Sequence, residues 1–184
     1  MRVIAGKFKG SKLIIFDEEN IRPTLDKVRE AIFSKIQMDI KDSIFLDLFA
    51  GTGAVSIEAL SRGAKLVYTC DADRRSEKVI KQNFEKVKAK PNFYLADYNK
   101  ALTNFSKDNL QFDFVFLDPP FKKGFGIKAI ARIAELNLLA DNGLIIFEHS
   151  IDESFDYSAI SGVTVVDEKK YGTVLVTYLS KAGE

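Results

Sequence analysis

Asp118-Pro119-Pro120-Phe121 is the stretch of this 184-residue chain whose residue types are most directly suited to chemistry. Two consecutive prolines fix the backbone and remove two N–H donors, which leaves carbonyls free to accept. A carboxylate from Asp118, a carbonyl from Pro119 and an aromatic face from Phe121 are the parts needed to hold a planar group that bears an NH2. The N–H hydrogens bond to the oxygens, the ring stacks, and the nitrogen lone pair is turned toward an electrophile. Methylation of an amine needs little more. S-adenosylmethionine is already a charged sulfonium, so in-line positioning at about 3 Å can carry much of the catalysis, without histidine or metal. In isolation the tetrapeptide reads first as a turn that ends a strand, and the chemical reading needs a partner motif.

A second constellation, Asp47-Leu48-Phe49-Ala50-Gly51-Thr52-Gly53, gives it a partner. Open α/β sheets bind ligands at the carboxyl ends of their strands, where glycine turns let the ligand approach the backbone. Asp71 ends the next apolar run, the position from which an acid meets ribose hydroxyls, and Asp97 closes the one after, where it would meet an adenine. A dinucleotide fingerprint would carry a third glycine where Ser56 stands. Asp47, with Phe49 between it and Gly51 and Gly53, suits a cationic amino-acid moiety better than a pyrophosphate, which a carboxylate repels. The pattern therefore points to S-adenosylmethionine, with an NAD-dependent oxidoreductase as the alternative.

The elements that must position these residues follow from periodicity. Ile44–Leu48, Leu66–Cys70, Phe93–Ala96, Phe112–Leu117 and Leu144–Phe147 read as strands. Residues 54–62, 76–87 and 127–139 read as helices, the first ending at Gly63. Nearly continuous apolar strands alternating with helices are the signature of a parallel sheet covered on both faces. Val163–Val166 and Tyr171–Leu179 read as an antiparallel hairpin turning at Glu168-Lys169-Lys170. Residues 1–40 read as an extension: a hairpin of Val3–Ala5 with Lys12–Phe16, then a helix from Pro23 with Val28, Ile32, Phe33 and Ile36 on one face. Residues 41–184 form the main domain. The fold class is α/β, a Rossmann-like seven-stranded, mostly parallel sheet with a C-terminal antiparallel hairpin.

Composition narrows the choices. A chain that is 46% hydrophobic and 29% charged is an ordinary globular protein. One cysteine and one histidine exclude an internal disulfide, a multi-cysteine zinc site and a cluster of histidine ligands, so no metal is expected. Cys70, in an apolar strand, reads as core, and His149 as a hydrogen-bonded residue at a strand end. No segment approaches a membrane span and no apolar signal core opens the chain, so a cytoplasmic protein away from membranes is expected.

The two constellations together resemble the class I S-adenosylmethionine-dependent methyltransferases that modify exocyclic amines. More narrowly, the chain resembles the bacterial 16S rRNA (guanine-N2)-methyltransferases from end to end. The residues that carry this are Arg2-Val-Ile-Ala-Gly6, Arg22-Pro-Thr24, Val28-Arg-Glu-Ala-Ile-Phe33, Leu46 to Gly53, Glu58 to Ala64, and Tyr171-Gly172. Asp71 stands where relatives commonly have Glu, and Phe121 where many amino-methyltransferases have Tyr; both keep the chemistry. The resemblance implies a guanine N2 in 16S rRNA as acceptor, within the small subunit or an assembly intermediate, and a monomeric enzyme. It implies that Asp47, Gly51 and Gly53 meet the methionine end of the donor, Asp71 its ribose and Asp97 its adenine, while Asp118, Pro119 and Phe121 hold the guanine. The tetrapeptide alone leaves adenine N6 and protein glutamine open as acceptors.

A net charge of +1 argues at first against a nucleic-acid partner. The distribution reverses that. Residues 1–16 hold Arg2, Lys7, Lys9 and Lys12 with no acid, and residues 122–132 hold Lys122, Lys123, Lys128 and Arg132 with none. Arg2, Lys7, Lys9, Arg22, Lys122 and Lys123 are the expected RNA contacts.

Overall fold

The computed structural model describes residues 1–16 and 23–183, the side chains of residues 23–25 excepted. It divides into two compact units, Met1–Ala96 and Asp97–Glu184.

The first unit holds three parallel strands in the order β3-β2-β1: β1 (Ile44–Asp47), β2 (Leu66–Asp71) and β3 (Asn92–Leu95). Leu46 pairs with Tyr68, and Tyr68 in turn with Asn92. Phe45, Leu46, Val67 and Cys70 are buried, which is why β1 and β2 read as apolar runs rather than alternating ones. Three helices accompany the strands: α1 (Pro23–Lys35), α2 (Ala54–Ser61) and α3 (Arg74–Lys86). α1 buries Val28, Ile32 and Phe33, the face expected from their spacing, and Phe33 stacks on Phe45 with ring centroids 6.0 Å apart.

Residues 1–16 do not form the two-stranded hairpin expected. A single antiparallel bridge, Arg2 to Lys12, joins them, with Val3 donating to Ser11 and Gly10 to Val3 through the backbone. Val3 and Leu13 are instead buried with Ala54, Ile57, Ile80 and Phe84. Packing on α2 and α3 replaces most of the ladder, as a short isolated hairpin is marginal in water.

The second unit holds α4 (Tyr98–Lys107), β4 (Phe112–Leu117), α5 (Phe125–Glu135), β5 (Leu139–Ser150), a 3-10 turn at Tyr157–Ala159, β6 (Val163–Tyr171) and β7 (Val174–Lys181). Its strands run β4-β5-β7-β6, with β4 and β5 parallel and the remaining pairs antiparallel. The strand expected at Leu144–Phe147 is longer, and Asn142-Gly143 sits inside it as an irregularity between the Phe112–Leu139 and Phe114–Leu144 pairs. The hairpin turn falls at Gly172, whose φ is +62°, and not at Glu168-Lys169-Lys170, which stay in β6. β6 ends the strand order, and charges on such a strand resist pairing with another chain. Helix α4 was not expected from the sequence.

Gly6 separates a close approach from a mere turn. Its φ is +81°, and a Cβ there would lie 1.9 Å from the Ser61 carbonyl oxygen; Gly10, at φ +85°, faces open space. Gly6→Ala should cost about 3 kcal/mol or more, combining left-handed strain with a backbone clash, whereas Gly10→Ala should cost about 1 kcal/mol. Urea unfolding of the two variants measures the difference.

Candidate active site

Of the residues expected to meet the donor, Asp47, Phe49, Gly51, Gly53 and Asp71 lie in the first unit. β1 ends at Asp47, the chain turns through Gly51 and Gly53 with φ of +54° and +75°, and α2 starts at once. Asp47 is 1% exposed, and its Oδ2 accepts from the Ser56 N–H at 3.0 Å and the Ser56 hydroxyl at 2.7 Å. The residue that replaces the third glycine thus receives a carboxylate beneath the turn, where an anionic pyrophosphate would be repelled. Asp71 is only partly buried. Its Oδ2 accepts from the Gly51 N–H and its Oδ1 from the Asp73 N–H, each at 2.8 Å. A carboxylate has about four lone-pair sites, so Asp71 can hold the turn and still receive hydroxyls. Phe49 is half-buried two residues before Gly51. A ring carbon of Phe16 stands 4.0 Å from the point where a Gly51 Cβ would lie. These residues fit a ligand with a cationic amino-acid end and a ribose.

The arm before the turn is fixed through Glu58 and Ser61 of α2. Glu58 is fully buried and accepts from the backbone N–H groups of Ile4 at 2.8 Å and Ala5 at 3.1 Å, and from Arg62 at 2.7 Å. Ser61 accepts from the Phe8 N–H and donates to the Ala5 carbonyl. Arg29 donates to the Arg2 carbonyl at 2.6 Å. Arg2, Lys7, Lys9 and Lys12 stay exposed on this anchored backbone. Arg22 lies outside the described residues.

The residues expected to hold the acceptor lie in the second unit, as does Asp97, the remaining residue expected to meet the donor. Asp97 caps α4, accepting from the Lys100 N–H at 3.0 Å, and its side chain is otherwise exposed. Asp118 follows the last residue of β4, Pro119 is buried, Pro120 is exposed, and Phe121 is 43% exposed. A shallow recess, open to solvent, is lined by Pro119, Phe121, Phe125, Phe147, His149 and Phe155 among others. Its wall is aromatic: Phe147 stacks on His149 at 4.6 Å and tilts against Phe155 at 5.4 Å. Gly126 permits this, since a Cβ there would lie 2.3 Å from the Phe147 ring. His149 lies within β5, with Nε2 2.9 Å from the Thr177 hydroxyl, and burial holds its pKa below the usual value. Lys122 and Lys123 are exposed on the following loop, and the Lys122 N–H donates to Glu153 at 2.9 Å.

Glu148 was not singled out by its sequence context. It is 5% exposed and stands one residue beyond the Leu117–Phe147 pair, opposite Asp118. Burial lifts Asp118 to about 7, and burial together with the Asp118 charge lifts Glu148 to about 8. A carboxylate inside an apolar strand was the available signal.

The family described as "Conserved hypothetical protein 95" matches residues 1–180. The chain belongs to this family. A curated relative, ribosomal RNA small subunit methyltransferase D of Haemophilus influenzae, is 36% identical over 156 residues, 83% of this chain and 80% of that protein. YlbH of Bacillus subtilis is 34% identical over the full length of both. The solved structure of yhhF from Escherichia coli agrees with a TM-score of 0.84 at 28% identity, over 98% of this chain and 97% of that one. This member of the family thus has the Rossmann-like, class I methyltransferase fold expected from its sequence.

Glu148 enters a stability prediction. Its pKa in the folded protein lies above its unfolded value near 4.5, so the folded state retains a proton that the unfolded state has lost. That contribution is complete below about pH 4.5 and is lost as pH rises through about 8. Glu148→Gln should leave stability more nearly constant between pH 6 and 9 than it is in the wild type, as read by urea midpoints across that range.

Proposed function

We propose that this chain is an S-adenosylmethionine-dependent methyltransferase that methylates the exocyclic N2 of a guanine in 16S rRNA, within the small subunit or a particle assembling into it. It works as a monomer in the cytoplasm. The observation that carries the reading is Asp118-Pro119-Pro120-Phe121 at the end of β4, of which Pro119, Pro120 and Phe121 line an aromatic recess. Membership in a family that includes small-subunit rRNA methyltransferases supports it.

The donor supplies an electrophilic methyl group on a sulfonium. Asp47 shapes the turn and contributes negative charge below it, Phe49, Gly51 and Gly53 line the methionine end, Asp71 receives the ribose hydroxyls, and Asp97 meets the adenine. Asp118 and the Pro119 carbonyl accept the two amine hydrogens, Pro120 holds that carbonyl in place, and Phe121 supports the base. Orientation is their main contribution, since a displacement of about 1 Å costs on the order of 100-fold in rate. Asp118 accepts most strongly when ionised, and the guanine amine is already uncharged in water, so no base has to deprotonate it before attack. As the N–CH3 bond forms, the sulfonium S–CH3 bond breaks and the donor leaves as a neutral thioether; the proton then passes from the nitrogen to the Asp118 carboxylate that accepts its hydrogen bond, and on to water.

The extension of residues 1–40 docks RNA through Arg2, Lys7, Lys9 and Arg22, and Lys122 and Lys123 add contacts beside the recess. Phosphate contacts of this kind position the enzyme without reading sequence.

The decisive experiment incubates the protein with labelled S-adenosylmethionine and unmodified small subunits, then identifies the methylated nucleoside by mass. N2-methylguanosine is expected; methylated adenine, methylated protein, or no transfer would overturn the assignment. Asp118→Ala should lower kcat/KM on the order of 100-fold. Because Asp118 titrates near pH 7, the wild-type rate should fall as pH drops below that point. Replacing Arg2, Lys7 and Lys9 together by Ala should make RNA binding less steeply dependent on salt, by about one unit of logarithmic slope for each phosphate that the variant no longer neutralises.

A further inference from the structure

Asn83 lies on α3 and is fully buried. A buried amide left without partners is costly, so its hydrogen bonds show what the fold requires of it. Its Oδ1 accepts from the Ile14 N–H at 2.7 Å. Its Nδ2 donates to the Ile14 carbonyl at 3.0 Å and to the Thr52 carbonyl at 2.9 Å. Ile14 closes the basic arm, and Thr52 is the middle residue of Gly51-Thr52-Gly53. One planar amide therefore joins two segments that the chain separates by 38 residues.

Neighbouring contacts make the junction stiff. The Phe16 ring, two residues beyond Ile14, stands over Gly51. A Cβ on Gly53 would meet Ile80 at 3.2 Å and Phe84 at 3.5 Å, so the turn lies directly on α3. Val3 and Leu13 of the arm share a buried cluster with the same Ile80 and Phe84. At its other end the arm is held by Glu58 and Ser61 of α2, the helix that Gly53 starts. A displacement of the Thr52 carbonyl thus reaches the arm through Asn83 and through packing that has little slack.

We propose that Asn83 is a positioning residue that couples docking of the arm on RNA to binding of the methyl donor in the glycine turn. The inference rests on the reading of the arm as an RNA surface and of the turn as the donor site. A donor that orders the turn fixes the Thr52 carbonyl, and with it Asn83 and the backbone that displays Arg2, Lys7 and Lys9. Linkage makes the effect reciprocal, so RNA on the arm tightens donor binding by the same factor. A residue that only adds stability would leave that factor unchanged.

The test measures the dissociation constant of S-adenosylhomocysteine, which permits no turnover, with the full-length protein alone and with unmodified small subunits. The wild type should bind it at least about 5-fold more tightly in the presence of subunits, the lower end of ordinary allosteric coupling. Asn83→Asp keeps the size and the Oδ1 acceptor but loses both Nδ2 donations; it should bring the factor close to 1. Ile14→Pro removes the N–H that Asn83 accepts and attacks the link from the arm, so it provides the same test should the first variant fail to fold. A wild-type factor near 1, or an undiminished factor in a folded variant of either kind, overturns the coupling. The RNA reading of the arm is tested separately: it fails if the Arg2, Lys7 and Lys9 triple alanine variant binds subunits as tightly as the wild type.

Discussion

The hydrogen bond from the Gly51 N–H to the Asp71 carboxylate ties the ends of two adjacent parallel strands, and the proposed donor site stands on it. A turn that leaves a strand, passes through two positive φ values and enters a helix exposes several backbone N–H groups. Asp71 takes one of these amides, from Gly51, together with that of Asp73 just beyond its own strand, while Asp47 takes that of Ser56 from below. Charge-assisted bonds to backbone amides are stronger than neutral ones. The turn is consequently shaped before any ligand arrives. Preorganisation of this kind is what a positional reaction requires, because little bond chemistry is left for side chains to perform.

The same constraint, that a buried carboxylate needs partners, recurs away from the turn with a different result. Glu58 is enclosed on α2 and is satisfied by the backbone of residues 4 and 5 and by Arg62. Its requirement converts a short basic segment from a loose tail into an anchored surface. Glu148 in the second unit has Asp118 as its charged neighbour, and protonation is the less costly outcome. One carboxylate organises the fold by accepting hydrogen bonds, and the other stays largely neutral near pH 7 beside an acid that is half ionised there. The partners that surround each carboxylate, rather than residue type, separate the two roles.

Much of this was legible in the chain. The strands appear as apolar runs because both of their faces are covered, and Gly51, Gly53 and Gly63 fall where positive φ is needed. Helix α4 was not, since only Ala101, Leu102 and Phe105 form its buried face, diluted by Asn99, Thr103, Asn104 and Ser106. Its cap, Asp97, was visible only as an acid at a strand end. The C-terminal turn was misplaced because Glu168-Lys169-Lys170 looks like loop chemistry, while the position that must adopt positive φ is Gly172. Asn83, Glu58 and Glu148 each read as an ordinary polar residue inside a helix or strand. Their partners lie 69, 54 and 30 positions away, a relation that local periodicity does not record.

Donor affinity separates the two halves of the account most directly. Calorimetric titration of S-adenosylmethionine into Asp71→Asn and Asp118→Asn, with the wild type alongside, asks whether donor binding belongs to the first acid and not to the second. Asp71→Asn should weaken donor binding at least about 10-fold, the loss of roughly one charge-assisted bond, while Asp118→Asn should bind within about 2-fold of the wild type. Equal losses in both variants, or unchanged affinity in Asp71→Asn, would contradict the assignment of the donor to the glycine turn.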